Sequence, residues 1–267
     1  MFRFGAAGFD NPLLPASSAG PIIDIGSLMK PEVIMLMSSS LDGKQHPSRW
    51  TATPDGDRKA QAGMFEKVHG TLHGDAWIVG RVTMQEMSKA AAHPPAAVPA
   101  VARPVHVAAR NAPCYGVVLD PSGRTHFSGG TIGGDAVIVL LGQDVGDAHL
   151  AELAADGVSY VVAESPELDL AAMLETLNRA FGIKRLLLEG GGTVNGSFLA
   201  AGLVDEVNVL VGPAFDGDGD ARQESIVHHA GGLAGKCELS FRSATPLENG
   251  VVHLRYAVTG PRAESAR

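Results

Sequence analysis

The sequence predicts an α/β fold, a single domain in which helices are interleaved with the strands of one sheet. Three observations carry that prediction. Short apolar runs recur along the chain, among them VIMLM (33–37), AWIVG (76–80) and AVIVLL (136–141), at lengths that suit buried strands. Stretches with helical spacing of apolar residues lie between them, as at Ala62, Phe65 and Val68. The run RLLLEGGG (185–192) then drives an apolar strand into three glycines and a helix start.

In order, residues 1–30 are rich in Gly, Pro, Ala and Ser and read as an extended arm or a poorly ordered tail. A strand over 33–37 leaves through SSSLDG, a polar loop runs to Asp57, and a helix covers 58–68. AWIVG is the second strand, and the helix after it holds Thr83 in its first turn. The four prolines of HPPAAVPAVARP (93–104) require a loop. VHVAA (105–109) reads as a strand and GVVLD-PSG-RTHF (116–127) as a hairpin. After AVIVLL comes a short helix over 147–155 with Asp147 placed to cap it. A strand follows at 158–163, then a helix over 168–181 closed by Gly182. The glycine-rich strand end leads into a helix over 196–201, a strand over 204–212 and a terminal antiparallel pair, 237–243 with 251–258. One domain over 31–260, with a short tail over 261–267, is the simplest division.

Composition bounds the function. Of 267 residues, 29 are acidic and 21 basic, a net charge of −8, which disfavours nucleic acid as a partner. Two cysteines exclude a disulfide-stapled scaffold. No apolar run approaches the ~18 residues of a membrane span, and the start lacks a secretory pattern, so a cytoplasmic protein is expected. There are 33 glycines, a share well above the usual ~7%, which points to many turns and close backbone approaches.

The sharpest chemical signal is LEGGGTVNG (188–196). Glycines let an anion approach the backbone, and the first-turn N–H groups of the next helix face it. The spacing is neither the dinucleotide G-x-G-x-x-G nor a P-loop. Glu189, beside this turn, either binds an amino or hydroxyl group of a ligand or is a solvated strand end. Gly80-Arg81-Val82-Thr83 repeats the pattern, so Arg81 and Thr83 are candidates for a second phosphate, and Arg110 leaves the next strand with the same exposure. Trp50, in a polar loop, is either a lid on a ligand or a satellite of the core. Asp55 and Asp57 are expected to cap a helix. His69 and His73, separated by glycine, and His228-His229 carry no metal signature, and no metal or covalent nucleophile is expected.

The segments SSSLDGK, GRVT and LLLEGGGTVNGSFLAAGLVDEVNVLVGPAFDG resemble the C-terminal reductase domain of the bacterial riboflavin-biosynthesis deaminase/reductase, related to dihydrofolate reductase, over about residues 31–258. The resemblance implies a dihydrofolate-reductase-like three-layer α/β sandwich around a mostly parallel sheet with an antiparallel C-terminal hairpin, homodimeric, reducing a small-molecule aminopyrimidine ribosylamine phosphate with NADPH. It implies that Gly191, Gly192, Thr193, Val194 and Asn195 contact the cofactor, with Thr83, Arg81, Trp50 and Ser39. It places Ser48 and Glu189 on the substrate, Asp42 near the nicotinamide, and Arg110 on the adenosine 2′-phosphate. Glu189, Asp42 or a water would manage the proton. Two arginine-bearing elements that serve substrate binding in the bacterial enzymes are missing here, where EKVHGTLHG and MQEMSKAAAHPP stand. GVVLDPSGRTHF and FDGDGDAR suggest a divergent branch. A dihydrofolate or pteridine reductase and a non-catalytic NADP-binding protein are the alternatives.

Overall fold

The structure is a computed structural model, and it describes residues 30–217 and 225–260. The expected arm, the tail and most of FDGDGDAR therefore lie outside the described residues. Eleven strands form one sheet: β1 (Glu32–Ser39), β2 (Ala76–Gly80), β3 (Val105–His106), β4 (Tyr115–Leu119), β5 (Thr131–Ile132), β6 (Asp135–Leu141), β7 (Ser159–Val162), β8 (Arg185–Leu188), β9 (Glu206–Val211), β10 (Glu238–Pro246) and β11 (Val252–Thr259). The helices are α1 (Arg58–Leu72), α2 (Arg81–Ser88), α3 (Asp147–Ala155), α4 (Leu170–Phe181) and α5 (Gly192–Ala200).

The strand order is β10-β11-β9-β1-β8-β2-β4-β6-β7-β3, with β5 paired to β6. From β9 to β7 every neighbouring pair is parallel. Antiparallel pairing is confined to β10, β11, β3 and β5. Because the parallel strands are covered on both faces, they read as continuous apolar runs rather than alternating ones. One face packs Val33, Met35, Ile78 and Leu188 against Leu174, Leu177 and Phe198 of α4 and α5. The other packs Val79, Val139 and Leu187 against Met84 of α2 and Leu150 and Leu153 of α3, and Leu36 against Met64 and Val68 of α1. The result is a three-layer α/β sandwich.

Three expectations are corrected. GVVLDPSGRTHF is not a hairpin: β4 lies between β2 and β6, both parallel to it, so no sheet edge is open for a returning strand. The chain instead wraps around buried Asp120, whose carboxylate accepts from the backbone N–H groups of Arg124 and Thr125 at 2.6 and 2.7 Å. VHVAA contributes only the two residues of β3. Asp147 does not cap α3; Gly146 is the cap, and Asp147 pairs with Arg103 at 2.9 Å. Asp57 does cap α1, accepting from Ala60 N–H, and Gly182 closes α4 at φ 73°. Helix α1 runs through Gly70 to Leu72, further than its apolar spacing indicates.

Candidate active site

Helix α1 carries the chain from β1 to β2 across one face, and α5 carries it from β8 to β9 across the other. Strands β1, β8 and β2 are consecutive in the sheet, so their C-terminal ends lie where the crossovers part, the place where parallel sheets bind ligands. A cleft of about 360 Å³ opens there. Met37 and Ser38 from β1, Phe65 and Glu66 from α1, Thr83 and Glu86 from α2, and Glu189 to Gly191 line it, with Gln45, His46, Pro47 and Ala62.

Glu189 sits at its wall with a side chain only 11% exposed. Its backbone N–H donates to the Ile78 carbonyl, which fixes the residue at the end of β8. Its carboxylate lies 2.7 Å from His69 Nδ1. Burial pushes Glu189 above the usual carboxylate range. The bond to Glu189 raises His69 in turn, and Glu66 and Asp135 add to that rise. The two groups form a proton-sharing pair, buried at the carboxyl end and half-exposed at the imidazole end. Sequence reasoning missed His69: it was weighed only as half of a metal pair, and nothing local links it to a residue 120 positions away.

Two helices begin at this rim, α5 after β8 and α2 after β2. Both have a glycine N-cap and neither has a side-chain cap, so first-turn N–H groups of both are open to an anion. The glycines themselves divide into two kinds. A Cβ on Gly192 would lie 2.2 Å from the Ser225 carbonyl oxygen, and one on Gly196 2.0 Å from that of His228. A Cβ on Gly190 would lie 2.7 Å from Val194, and one on Gly80 3.0 Å from it. These four glycines allow α5 to meet the chain and its neighbours closely. Gly191 alone of the 190–192 triplet faces open space, its nearest neighbour Gln45 at 3.9 Å.

The structure brings Thr83, Glu189 and Gly191 together, with exposed Thr193 and half-buried Arg81 and Val194 on the same helix starts. Arg81 donates to Gln85 at 2.7 Å. It does not bring the others in. Asn195 is fully buried and donates to the Ile226 carbonyl, so its side chain braces α5 and has no path to a ligand. Ser38, not Ser39, lines the cleft; Ser39 is buried and donates to the Ser40 carbonyl. Asp42 ties two loops together, accepting from Ser40 Oγ at 2.5 Å and from the Asp216 and Gly217 N–H groups at 3.1 and 2.8 Å. Those donors hold it far below the usual carboxylate range, which unfits it to deliver a proton. Trp50 is buried against Gly212, outside the cleft, its indole N–H without a partner. Ser48 is exposed in the turn Pro47–Arg49 at the cleft's edge.

Arg110 is at the wrong end of the sheet for this site. Strand β3 runs antiparallel to β7, so the chain leaving it heads for the N-terminal ends of the parallel strands. There the Tyr115 hydroxyl donates to the Ala109 carbonyl. An exposed arginine that does reach the C-terminal rim, on its β4 side, is Arg124, in the loop after β4, whose carbonyl accepts from Gln85 of α2.

Comparison with known proteins gives the family. The RibD C-terminal domain family matches residues 31–253. The chain belongs to that family. It is 32% identical over 199 residues, 73% of this chain and 83% of the relative, to the 2,5-diamino-6-ribosylamino-4(3H)-pyrimidinone 5′-phosphate reductase of Methanothermobacter thermautotrophicus. Its fold is shared with a pyrimidine reductase-like protein of Corynebacterium diphtheriae, at TM-score 0.61 and 18% identity over 89% of this chain and 96% of that one. RibD of Acinetobacter baumannii aligns at TM-score 0.56 and 19% identity, over 86% of this chain and 58% of that one. The protein is an oxidoreductase of the RibD C-terminal reductase type.

Proposed function

We propose that the protein uses NADPH to reduce an amino-substituted pyrimidine ribosylamine, the substrate class named for the Methanothermobacter relative. The observation that carries this reading is a cleft walled by Glu189, whose carboxylate is bonded to His69 behind it, and flanked by two uncapped, glycine-headed helix starts. The helix starts fit a pyrophosphate, with Gly191, Thr193 and Thr83 at its flanks. Arg124 and Arg81 stand at the β2–β4 end of the same rim, where a 2′-phosphate would select NADPH over NADH.

When bound, NADPH supplies a hydride to the carbon of a polarised C=N or C=O bond, and one proton must reach the heteroatom. Glu189, whose carboxyl burial pushes toward its protonated form, delivers that proton to the substrate. His69, half-exposed, takes its replacement from solvent. The closed cleft wall keeps the transfer local and fixes the acceptor beside the pair.

Glu66, Glu86 and Glu189 put three carboxylates around the cleft, and among the described residues its lining includes no lysine or arginine. Carboxylates accept from ring amino groups and repel a phosphate, so we read the amino-substituted ring as the part recognised, with the ribose chain directed outward. The test measures NADPH oxidation with the diaminopyrimidine ribosylamine, with and without its 5′-phosphate. This reading expects both to be reduced, with kcat/KM values within about tenfold of each other, the order of one modest contact. NADPH binding without oxidation of either compound would reject the pyrimidine assignment.

A further inference from the structure

On the face that carries α2 and α3, away from the cleft wall, three segments converge on one point. His149 and Glu152 lie three residues apart on α3 and share one helix face; His126 reaches them from the loop after β4. A coordinating atom from each lies within 4.8 Å of the others. His126 Nδ1 is 2.6 Å from Glu152 Oε1, and the two imidazoles meet edge to face at 5.3 Å. Both ring nitrogens of His149 are shielded from solvent and have no hydrogen-bond partner. The Glu152 carboxylate is 2% exposed. His93, from the proline-rich loop after α2, brings its Nδ1 to 3.3 Å from the same Glu152 oxygen and its Nε2 to 3.1 Å from Asp156.

Shielded polar atoms are nearly always bonded, and an imidazole with both nitrogens orphaned is a costly arrangement. Two facts explain it together: the orphaned nitrogens face a buried carboxylate, and a second imidazole stands at the same point. Asp120 also faces the cluster and adds negative charge.

We propose that His126, His149 and Glu152 bind a divalent first-row transition ion, best matched by zinc, with His93 beside Glu152 at the edge of the site. Imidazole with carboxylate, and no thiolate, suits zinc among such ions. Zinc–ligand bonds of ~2.0–2.2 Å imply ligand atoms roughly 3.3 Å apart, between the 2.6 Å that separates His126 Nδ1 from Glu152 Oε1 and the 4.8 Å that bounds the cluster, so side-chain rotation brings the three atoms to an ion. Binding displaces any proton on His126 and replaces its bond to Glu152. The site staples the loop carrying Arg124 and His126 to α3, with the loop carrying His93 at its edge. Helix α2 joins them through Ser88, whose hydroxyl donates to the His126 carbonyl. No local spacing announces a metal here, because His126 stands more than 20 residues from His149 and Glu152 and falls in a segment that reads as a hairpin.

The experiment titrates the full, untagged, EDTA-treated chain with Zn2+ by calorimetry and with Co2+ by visible absorption. The expected result is one equivalent of zinc, tetrahedral cobalt d–d bands, and a melting temperature several degrees higher at saturation. His149→Gln is expected to weaken zinc at least about 100-fold without lowering the melting temperature of the metal-free protein, since its nitrogens have no partner to lose. Glu152→Gln, an isosteric change, is expected to weaken it likewise, while His228→Ala/His229→Ala leaves it unchanged. Zinc binding weaker than about 100 µM, far from a structural site, or binding untouched by His149→Gln and Glu152→Gln, would overturn the proposal.

Discussion

At the scale of single residues, the account turns on Glu189 and His69. Glu189→Gln keeps the shape and removes the proton; turnover is expected to fall about 10²–10⁴-fold, the range for a lost general acid. His69→Gln removes the proton's path from solvent. In the wild type, kcat should decline as pH rises past the ordinary imidazole range, because His69 holds its proton above its usual value. In the variant that limb should move, leaving only the buried carboxyl to titrate, whereas a purely structural histidine would lower kcat equally at every pH. Stability follows the same sign. The contribution of a raised histidine is complete below an unfolded pKa of ~6.5 and is lost as pH climbs through the folded value. The melting-temperature gap between wild type and His69→Gln is therefore expected to narrow from pH 6 to pH 9. For the cofactor, Arg124→Ala is expected to weaken NADPH about tenfold, the loss of one charge-assisted contact, and to leave NADH unchanged. Arg110→Ala, at the opposite end of the sheet, is expected to alter neither in a direct titration.

At the scale of elements, α5 separates packing glycines from a ligand-facing one. Gly192→Ala and Gly196→Ala drive a methyl into the carbonyls of Ser225 and His228. Each is expected to cost roughly 3 kcal/mol, the upper end for overpacking, read in chemical denaturation. Gly191→Ala meets open space at an ordinary φ of −63°; its stability should be unchanged while NADPH affinity falls. That division was invisible in the sequence, where 190–192 are three identical letters, because it depends on a segment more than 30 residues later. The strands and helices were legible for the opposite reason. Buried parallel strands and glycine-closed or aspartate-capped helices such as α4 and α1 announce themselves locally. Glu189, Thr83 and Gly191 were legible too, since each sits where a strand ends and a helix starts. Arg110 was misplaced because a two-residue strand reveals nothing of its direction. Asn195 and Ser39 fall on the buried side of their elements, which periodicity at an element's end does not resolve.

At the scale of the molecule, the sheet is asymmetric. Its β9–β7 portion is covered on both faces, whereas β10 is exposed along most of its length, with Leu239 at 55% and Phe241 at 62%. Phe241 packs only edge-on to Tyr256. Apolar side chains on an open edge strand call for a cover, and we propose that a second copy supplies it, making the homodimer that the family resemblance implies. Light scattering should give twice the chain mass for the wild type and the single mass for Phe241→Glu; a wild-type monomer would refute this. Among the described residues no helix is long and apolar enough to cross a membrane. The central claim, that the Glu189–His69 pair serves hydride transfer in a cleft that holds NADPH independently, is tested most directly by measuring NADPH affinity and single-turnover NADPH oxidation in wild type and Glu189→Gln. The account predicts affinities within about twofold and a rate lower by at least about 100-fold. Equal loss of binding and rate, or a rate that survives the substitution, would contradict it.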